Sequence, residues 1–576
     1  MTPRKILRRP PAENNPAWGR DLPPLLRRLY AARGVSSDAE LAYTLKHLAS
    51  PLELRGIDRA VALLSDAIAR QQKVLILGDF DADGATSTAV AMLGLSMLGL
   101  GQIDFRVPSR FADGYGLTPG IVARLVAEEG APDLLVTVDN GIAAHEGVRA
   151  AREAGMKVVV TDHHLAGETL PDADAIVNPN QPGCPFLSKH AAGVGVIFYV
   201  LTALRKHLRD EGRLPQPEPN LGNLLDLVAL GTVADVVPLD HNNRIFVEQG
   251  LRRIRQGLAR PGILALLEVA GRDHAAISST DLGFVVGPRL NAAGRLDDMS
   301  IGIACLLADD PEEARRLARE LDTFNRERRT IERDMKAQAQ DLLASMSLDV
   351  EGLPWGLVLF DPEWHQGVIG ILAARIREQT HRPTIAFAPD EDGQHIKGSA
   401  RSIPGLHIRD ALAVVDARHP GLLKKFGGHA MAAGMTIAAH DLERFSQAFD
   451  RAVRDTLTAA DLEAAVVTDG PLSPEELCLD TAHLLKRAGP WGQHFPEPLF
   501  DGEFRVISQR IVGENHLKLV LQPVDGREAV DGIAFNTGPE VPDYTRGGAR
   551  VVYKPDANTF RGRTSLQLLI DYLEPC

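Results

Sequence analysis

Three closely spaced aspartates are the first residues in this sequence that could carry chemistry. Asp79, Asp81 and Asp83 alternate directly after the apolar run Val74–Leu77 and before the uncharged segment Ala85–Leu98. This pattern predicts a buried parallel strand, a tight turn and a helix, with the carboxylates at the carboxyl end of the strand. Like charges this close repel one another unless a cation lies between them, and hard divalent cations prefer carboxylate oxygens. The sequence therefore favours a metal site, with an acidic surface turn as the alternative.

The next two predicted strands end in similar residues. Asp139 follows one of them, and the triplet Asp162, His163 and His164 follows the other. Because strands alternate with helices here, the pattern predicts a doubly wound parallel sheet, in which all carboxyl ends meet at one edge. A single aspartate at a strand end is often only a helix cap, whereas three successive strand ends of this kind favour a functional site.

One histidine and one further aspartate complete a predicted ligand set. His163 can bind a metal through one ring nitrogen while a carboxylate orients the other. Asp235 follows the mostly apolar segment Leu224–Thr232, where an unpaired charge is costly. The predicted ligands of two divalent ions are Asp79, Asp81, Asp83, Asp139, His163 and Asp235. Mixed carboxylate and imidazole ligation suits Mn²⁺, with Mg²⁺ as the alternative, and two such ions are the usual equipment for phosphodiester hydrolysis.

Length and composition indicate a soluble protein of several domains. The chain has 576 residues, of which 44% are hydrophobic and 24% charged. Its four cysteines form no CxxC pair, which argues against a disulfide framework or a zinc knuckle and fits a reducing cytoplasm. The basic N-terminus lacks the apolar segment of a signal peptide, and the uncharged stretch 84–103 predicts a buried helix, not a membrane span. A net charge of −13 argues against indiscriminate coating of nucleic acid but leaves room for a local basic channel.

The chain divides into five predicted parts. These are a helical lead-in at 1–70, a catalytic domain at 71–310, a long connecting helix at 311–347, a second α/β domain at 348–455, and a linker with a small β-barrel at 456–576. Within the lead-in, Ser37 is predicted to cap an amphipathic helix that extends to Leu48. The connecting helix follows from a charged segment that is free of Gly and Pro after its start, for which a solvated coiled-coil-like helix is the alternative.

Four motifs give the chain a resemblance to a known group of enzymes. GDFDADG, VTVDNG, VTDHH and GTVADVVPL resemble the successive motifs of the DHH phosphoesterase superfamily, and GPRLNAAGRLDD and FGGHAMAAGM match as well. Over residues 40–576, the order and length are similar to those of the RecJ family, bacterial 5′→3′ exonucleases specific for single strands. The resemblance implies an α/β protein with a doubly wound parallel-sheet DHH domain, a long helix that bridges two lobes, an α/β DHHA1 domain and a C-terminal OB-fold barrel. It also implies a catalytic set, which is Asp81, Asp83, Asp139, Asp162, His163, His164 and Asp235.

Basic and polar residues outside the metal set are candidate contacts for nucleic acid. Arg110 follows the second predicted strand and suits a phosphate, with a surface salt bridge as the alternative. A hydroxyl and a guanidinium, Ser399 and Arg401, suit a doubly charged 5′-phosphate. By resemblance the full set lies along a cleft and comprises Arg110, Arg289, Asn291, Arg295, His365, Ser399, Arg401 and His429. In the barrel, the candidates for base stacking and phosphate contacts are Phe504, Arg510, Lys518, Phe535, Tyr553 and Arg561, with core packing as the alternative for the aromatic ones.

These observations predict a metal-dependent exonuclease that releases nucleotides from the 5′ end of single-stranded DNA, in repair and recombination. Strand polarity and the preference for DNA come from the resemblance. One alternative is a DHH hydrolase of short oligonucleotides, cyclic dinucleotides or pyrophosphate, and another is a non-catalytic DNA-binding scaffold, against which the intact ligand set argues. The expected setting is a cytoplasmic monomer with no membrane association, whose partners are single-stranded DNA, a single-strand-binding protein and a helicase.

Overall fold

The structure is a computed structural model, and it describes most of the chain. The described residues are 4–11, 18–19, 22–110, 113, 116–345, 352–390, 392–513, 515–526, 528–538, 541–560 and 562–576. Within these ranges, no helix combines the length and the apolar character that crossing a membrane requires.

The N-terminal lead-in contains one strand that the sequence did not predict. Its regular elements are β1 (Lys5–Arg8), α1 (Pro24–Ala31) and α2 (Ile57–Arg70). β1 pairs in parallel with a strand far along the chain, β12 (Ala465–Thr468), so the lead-in is joined to the C-terminal part. A pairing at this sequence separation leaves no trace in local patterns.

The helix predicted from Ser37 to Leu48 is wrong. Two 3₁₀ turns replace it, Asp38–Leu41 and Leu45–His47, and the Ser37 side chain caps neither. The segment lies against a neighbouring helix, from which Arg244 donates to the carbonyl oxygen of Glu40 at 3.4 Å. Backbone groups that are satisfied by tertiary contacts do not need helical partners, and these contacts override the local propensity.

The first domain is built on the predicted parallel sheet. Its strands are β2 (Val74–Leu77), β3 (Ile103–Arg106), β4 (Leu134–Val138), β5 (Lys157–Thr161) and β6 (Ala175–Val177). They lie in the order β3-β2-β4-β5-β6, and all neighbouring pairs are parallel. The chain reverses its direction of winding between β2 and β4, and open α/β sheets hold their ligands in the crevice that forms at such a point.

Helices cover both faces of this sheet and extend the domain beyond it. They are α3 (Ala82–Met97), α4 (Pro119–Glu129), α5 (His145–Glu153), α6 (Gly193–Asp210), α7 (Leu225–Ala234), α8 (His241–Arg255), α9 (Pro261–Val269), α10 (Ser279–Asp281), α11 (Gly287–Leu296) and α12 (Ser300–Leu307). A π-helical turn, Leu282–Val286, joins α10 to α11. α3 is buried along most of its length, which explains why its sequence lacks charge after the aspartates.

A single long helix leads to the second lobe. This helix, α13 (Pro311–Ser345), follows the predicted connector closely. The second lobe contains β7 (Leu357–Phe360), α14 (Ile369–Thr380), β8 (Thr384–Pro389), β9 (His395–Arg401), α15 (Ile408–Arg418), β10 (Leu423–Gly428), β11 (Ala432–Ala438) and α16 (Leu442–Arg454). Its mixed sheet has the order β10-β11-β9-β8-β7.

The C-terminal part is a closed five-stranded barrel. After β12 and α17 (Leu479–Arg487), it is formed by β13 (Phe500–Val512), β14 (His516–Pro523), β15 (Val530–Ala534), β16 (Ala549–Phe560) and β17 (Arg563–Pro575), in the order β13-β14-β15-β17-β16. The barrel interior shares one continuous hydrophobic core with the first domain, through residues such as Tyr30, Trp491 and Phe495, whereas the second lobe has separate cores. The barrel is therefore packed as part of the first lobe.

Candidate metal centre and nucleic-acid cleft

The aspartate turn after β2 is fixed by its own side chains. Asp81 is the N-cap of α3, and its Oδ1 accepts hydrogen bonds from the backbone N–H groups of Asp83 and Gly84, both at 3.0 Å. Asn291 on α11 accepts from the backbone N–H of Ala82 at 2.9 Å. Asp79 is buried and accepts from the N–H that follows it. The turn thus holds three carboxylates in place at the sheet edge.

Asp83 is also held by the start of a second helix. Its two carboxylate oxygens accept from the backbone N–H groups of Gly193 at 2.7 Å and Val194 at 3.0 Å, at the beginning of α6. The same glycine makes room for Asp139, because a Cβ atom at position 193 would lie 2.6 Å from the Asp139 side chain. Asp139 has φ of 62°, a left-handed conformation that aspartate tolerates better than most residues.

His163 lies among three of these carboxylates. Its Nε2 is 3.1 Å from Asp139 Oδ1, 3.5 Å from Asp235 Oδ2 and 3.9 Å from Asp83 Oδ2. This nitrogen is buried and has no hydrogen-bond partner within the described part of the chain. Burial and the neighbouring His164 lower the pKa of His163 to about 3, so the ring is neutral and can offer a lone pair. A buried, neutral imidazole nitrogen that faces carboxylates is the environment expected of a metal ligand.

The other two residues of the triplet form an ion pair beside this cluster. Asp162 is buried, and it accepts from the backbone N–H of Ile142 at 2.9 Å and from His164 Nδ1 at 2.7 Å. Burial alone would lower the pKa of His164, but the hydrogen bond to Asp162 and nearby carboxylates raise it to about 9. His164 is therefore cationic at neutral pH. Its ring lies 6.1 Å from that of His429, which belongs to the second lobe, so the two lobes meet at this point.

The carboxylates of the cluster are in a high-energy state when no cation is bound. The pKa values of Asp79, Asp83, Asp139 and Asp235 are all raised, first by burial and then by the charges of neighbouring aspartates. Among the described residues, three groups of three offer ligand atoms within 4.8 Å of one another. The group of Asp139, His163 and His164 overlaps the other two, which share no residue with each other. One group is Asp79, Asp81 and Asp139, and the other is Asp83, His163 and Asp235. Together they use the six residues that the sequence predicts as ligands, and the donor set fits hard or borderline divalent cations.

Guanidinium groups from both lobes converge next to the carboxylates. Arg295 of α11 donates to the carbonyl oxygen of Gly367 in the second lobe at 3.1 Å. Burial and the charges of Arg110 and Arg401 lower its pKa to about 9. Arg401 of β9 donates to Ser399 Oγ at 3.1 Å, and Arg110 lies 3.9 Å from the centre of the Phe80 ring. Three partly buried cations that repel one another form a candidate site for an anion.

Two other residues that were predicted to contact nucleic acid form hydrogen bonds that stabilise the fold. Arg289 is buried and donates to Asp322 on α13 at 3.0 Å, which ties α11 to the connecting helix. Nδ1 of His365 accepts from the N–H of Gly367 at 3.1 Å and shapes the turn before α14. Contact of these two residues with nucleic acid remains a prediction.

The barrel candidates separate into core and surface. Phe504 and Tyr553 are buried and pack edge to face at 5.6 Å, so for these two candidates the alternative of core packing is confirmed. Lys518 is paired with Asp531 at 3.0 Å. Phe535 is 55% exposed and Arg510 is exposed, whereas Arg561 lies outside the described residues.

The sequence analysis missed two asparagines that support the histidines. Asn178 donates to the carbonyl oxygen of His164 at 2.9 Å, and Asn180 donates to that of His163. Both follow β6, so the strand next to β5 fixes the loop that carries the triplet. The only signal in the sequence is the short Asn-Pro-Asn turn at this place.

Comparison with known protein families agrees with this division of the chain. Residues 73–232 match the DHH family N-terminal domain, residues 355–455 match the DHHA1 domain, and residues 468–572 match the RecJ OB domain. The chain is 54% identical to the single-stranded-DNA-specific exonuclease RecJ of Salmonella typhimurium, with 100% of both chains covered. It is 35% identical to RecJ of Bacillus subtilis, with 95% of this chain and 67% of that protein covered.

Solved structures show the same architecture. The crystal structure of RecJ in complex with Mn²⁺ from Thermus thermophilus superimposes with a TM-score of 0.78 at 29% identity, with 98% of this chain and 80% of that chain covered. The corresponding complex with Mg²⁺ gives a TM-score of 0.74 at 28% identity, with coverage of 99% and 78%. The predicted fold is confirmed, with its DHH domain, its DHHA1 domain and its OB-fold barrel. The chain belongs to the RecJ family of single-stranded-DNA-specific exonucleases.

Proposed function

We propose that this protein is a metal-dependent exonuclease that degrades single-stranded DNA from its 5′ end. One observation carries the proposal: two triads of buried or half-buried metal-ligand side chains lie at the switch point of the sheet, beside three converging arginines. Carboxylate–imidazole triads suit divalent cations, and arginines suit the phosphates of a nucleic acid. Membership of the RecJ family supports the same activity.

Each triad is proposed to hold one divalent ion. Asp79, Asp81 and Asp139 would bind the first, and Asp83, His163 and Asp235 the second. When bound, two such ions supply an activated water and stabilise the charge that develops during phosphodiester hydrolysis. Mn²⁺ is favoured over Mg²⁺ because an imidazole is among the ligands.

Residues outside the triads are proposed to orient them and to bind the substrate. Asp162 anchors His164 and the backbone of the triplet. Because that ion pair keeps His164 charged, it adds positive potential on the side where the second lobe approaches through His429. A cation in this position attracts the phosphate backbone and is not consumed in the reaction.

The 5′ polarity of cleavage is proposed to come from Arg110, Arg295 and Arg401, which we call the arginine cluster. Arg401 and Ser399 lie together on β9, close to the start of α14, where a Cβ atom at Gly370 would be 2.9 Å from Arg401 Nη2 and 3.0 Å from Ser399 Oγ. A hydroxyl, a guanidinium and a helix N-terminus are all suited to a terminal phosphate. With Arg295 from the first lobe, they would fix the 5′ end so that the adjoining phosphodiester lies over the metal triads.

We further propose that the protein acts as a cytoplasmic monomer in repair and recombination. Its free cysteines, two of them buried, fit a reducing compartment. A helicase and a single-strand-binding protein are the proposed partners, since an enzyme that needs unpaired ends depends on proteins that create and protect them.

Digestion of end-labelled oligonucleotides tests the proposed activity. In Mn²⁺, we expect a 5′ label on single-stranded DNA to be released at once as a mononucleotide, while a 3′-labelled strand shortens gradually and a blunt duplex persists. Early release of the 3′ label, or cleavage of circular single strands, would contradict the proposal. Efficient hydrolysis of dinucleotides alone would favour a DHH hydrolase of short substrates.

A further inference from the structure

A long helix that ends in α11 begins next to the end of α7, and Asp235 lies at that end. α10, the π-helical turn and α11 form one continuous helix from Ser279 to Leu296. Its start packs on the end of α7, where a Cβ atom at Gly283 would lie 3.2 Å from Val233 Cγ1. Asp235 follows α7 directly. The π-helical turn is therefore a neighbour of the candidate metal centre, and π-turns within helices are often found at functional sites.

Two apolar side chains are exposed at this junction. Phe284, in the π-helical turn, is 75% exposed, and Val236, directly after Asp235, is 63% exposed. The segments that carry them are in contact, because a Cβ atom at Gly283, which precedes Phe284, would be 4.0 Å from the carbonyl oxygen of Val233, and this oxygen accepts from the N–H of Val236 at 3.2 Å. Burial would stabilise both side chains, so this exposed apolar surface near Asp235 suits an apolar ligand.

The backbone at Val236 gives an independent indication. Its φ is 61°, a left-handed conformation that is a genuine outlier for a β-branched residue. Such strain persists only where the surroundings enforce it, and it is concentrated at active sites and ligand clamps. Directly before this turn the Asp235 side chain lies 3.5 Å from His163 Nε2, whereas Val236 is at the surface.

Residues that line different parts of the cleft follow one another along the axis of this continuous helix. Arg295, in the arginine cluster, lies near its C-terminal end, and Asn291 bonds the aspartate turn in the middle. Phe284 lies near the N-terminal end, about 16 Å from Arg295 at 1.5 Å per residue. A strand whose 5′-phosphate is held by the arginines would thus cross the metal triads and continue toward Phe284.

We propose that Phe284 is a stacking platform for the base of the third or fourth nucleotide from the 5′ end, on the 3′ side of the scissile phosphate. This inference rests on the proposed function. Stacking on an aromatic ring accepts every base, so it suits an enzyme that degrades any sequence. It also requires a base that is free of its partner strand, so the platform would contribute to the preference for single strands. Phe284 is a positioning residue, since it touches the substrate away from the reacting phosphate.

Chain-length kinetics with Phe284→Ala test this role. The substrates are 5′-phosphorylated oligothymidylates from two to twelve nucleotides, and the comparison variants are Phe284→Trp and Val524→Ala, the latter an exposed apolar residue in a barrel turn. For the alanine variant we expect KM on the long substrates to rise about 10-fold, as for one lost stacking contact, with kcat/KM on the dinucleotide unchanged. The tryptophan variant should restore the wild-type KM, and Val524→Ala should have no effect.

A fluorescence measurement separates stacking from a structural role. An oligonucleotide with 2-aminopurine at the third or fourth position is bound in EDTA, so that it is not cleaved. Quenching by the wild type and Phe284→Trp, with none by Phe284→Ala, is the expected result. Equal quenching by the alanine variant, an unchanged KM on long substrates, or a parallel loss of dinucleotide cleavage would each overturn the proposal. A wild-type protein that cleaves no substrate would instead refute the proposed function.

Discussion

Two regions of this protein contain buried aspartates whose charges are handled in opposite ways. At the sheet edge, Asp79, Asp83 and Asp139 lie together, and burial and neighbouring carboxylates raise their pKa values. At the junction between the lead-in and the barrel, burial also acts on Asp501, but hydrogen bonds from Arg8 and Thr468 outweigh it and lower its pKa. The residue type and the burial are alike, and the partners differ.

The junction is an arginine clamp, which we define as Arg8, Arg33, Asp469 and Asp501. Arg33 donates two hydrogen bonds to Asp469, at 2.9 and 2.8 Å, and both side chains are almost fully buried. Arg8 donates to Asp501 at 2.8 Å from the strand that pairs with β12. Each buried carboxylate thus has a cation supplied by the chain itself. At the sheet edge, no lysine or arginine within the described residues forms an ion pair with Asp79 or Asp83, and the raised pKa values of these carboxyls show that the nearby charges of His164 and Arg110 do not offset burial and repulsion.

The largest expected effect is on catalysis, for Asp139→Asn. Asparagine tolerates the left-handed backbone at this position and keeps the side-chain shape, but it removes a charge that the first ion would use. We expect activity in Mn²⁺ to fall by well over about 100-fold, since even the outer partners of metal ligands are worth up to that much. The measurement is kcat/KM on a 5′-phosphorylated oligonucleotide.

Asp501→Asn is the matched control, because it removes the charge of a buried aspartate in the arginine clamp. It should lower the melting temperature and leave kcat/KM unchanged below that temperature. The distinction between the two regions fails if the clamp variant loses activity while folded, or if Asp139→Asn remains active.

The next largest effect is on stability, for Arg33→Ala. Removing the arginine leaves the buried Asp469 carboxylate with only Arg9 at 3.3 Å and the N–H of Leu499 at 3.1 Å. We therefore expect a loss in the free energy of unfolding near the lower end of the about 3–5 kcal/mol that a broken buried ion pair costs. Urea denaturation followed by circular dichroism measures this loss. Arg316→Ala, which breaks exposed ion pairs with Glu313 and Glu320, is the comparison, with an expected cost below about 1 kcal/mol. Equal losses for the two variants would show that the clamp contributes no more than a surface pair.

A smaller effect is expected at the arginine cluster, where the charges that repel one another are positive, not negative as at the acidic site. Arg401 forms no ion pair with an acidic side chain in the described ranges of the chain, so an anion is the missing partner. Arg401→Ala should reduce the preference for a 5′-phosphate over a 5′-hydroxyl by about 1.5–3 kcal/mol, the value of a hydrogen bond to a charged group. The ratio of kcat/KM for the two substrates measures this preference.

Lys397→Ala, on the same strand, is the control for Arg401→Ala, because Lys397 is already paired with Asp390 at 2.9 Å. For Lys397→Ala, the ratio of kcat/KM for the 5′-phosphate and 5′-hydroxyl substrates should match that of the wild type. An unchanged ratio for Arg401→Ala would place the recognition of the 5′ end elsewhere.

The acidic site could be predicted from sequence because its ligands follow successive strands. Asp79, Asp139 and His163 come directly after buried apolar runs, and parallel strands bring such positions to one edge. The arginine clamp could not be predicted, since Arg33 and Asp469 are 436 residues apart and neither lies in a pattern. The same reason explains the missed strand β1 and the wrong helix after Ser37: tertiary partners decided the local structure.

The sequence also could not show which aromatic residues of the barrel are buried and which are exposed. Phe504 and Phe535 are both aromatic residues of the barrel segment, yet the first is 3% and the second 55% exposed. Phe535 comes directly after β15, which ends at Ala534, so the alternation of a strand could not assign its exposure.

Calorimetric titration of the metal-free protein with Mn²⁺, in two buffers of different ionisation enthalpy, tests the metal centre most directly. It gives the number of ions bound and the number of protons released. The raised pKa values, about 7 for Asp83 and about 8 for Asp79, mean that these carboxyls carry protons near neutral pH when no cation is present. We expect two Mn²⁺ ions per chain and proton release at pH 7 that declines as the pH rises above 8, because the groups are then already ionised. Fewer than two ions, or binding without proton release at pH 7, would contradict a metal centre whose carboxylates repel one another and hold protons until a cation binds.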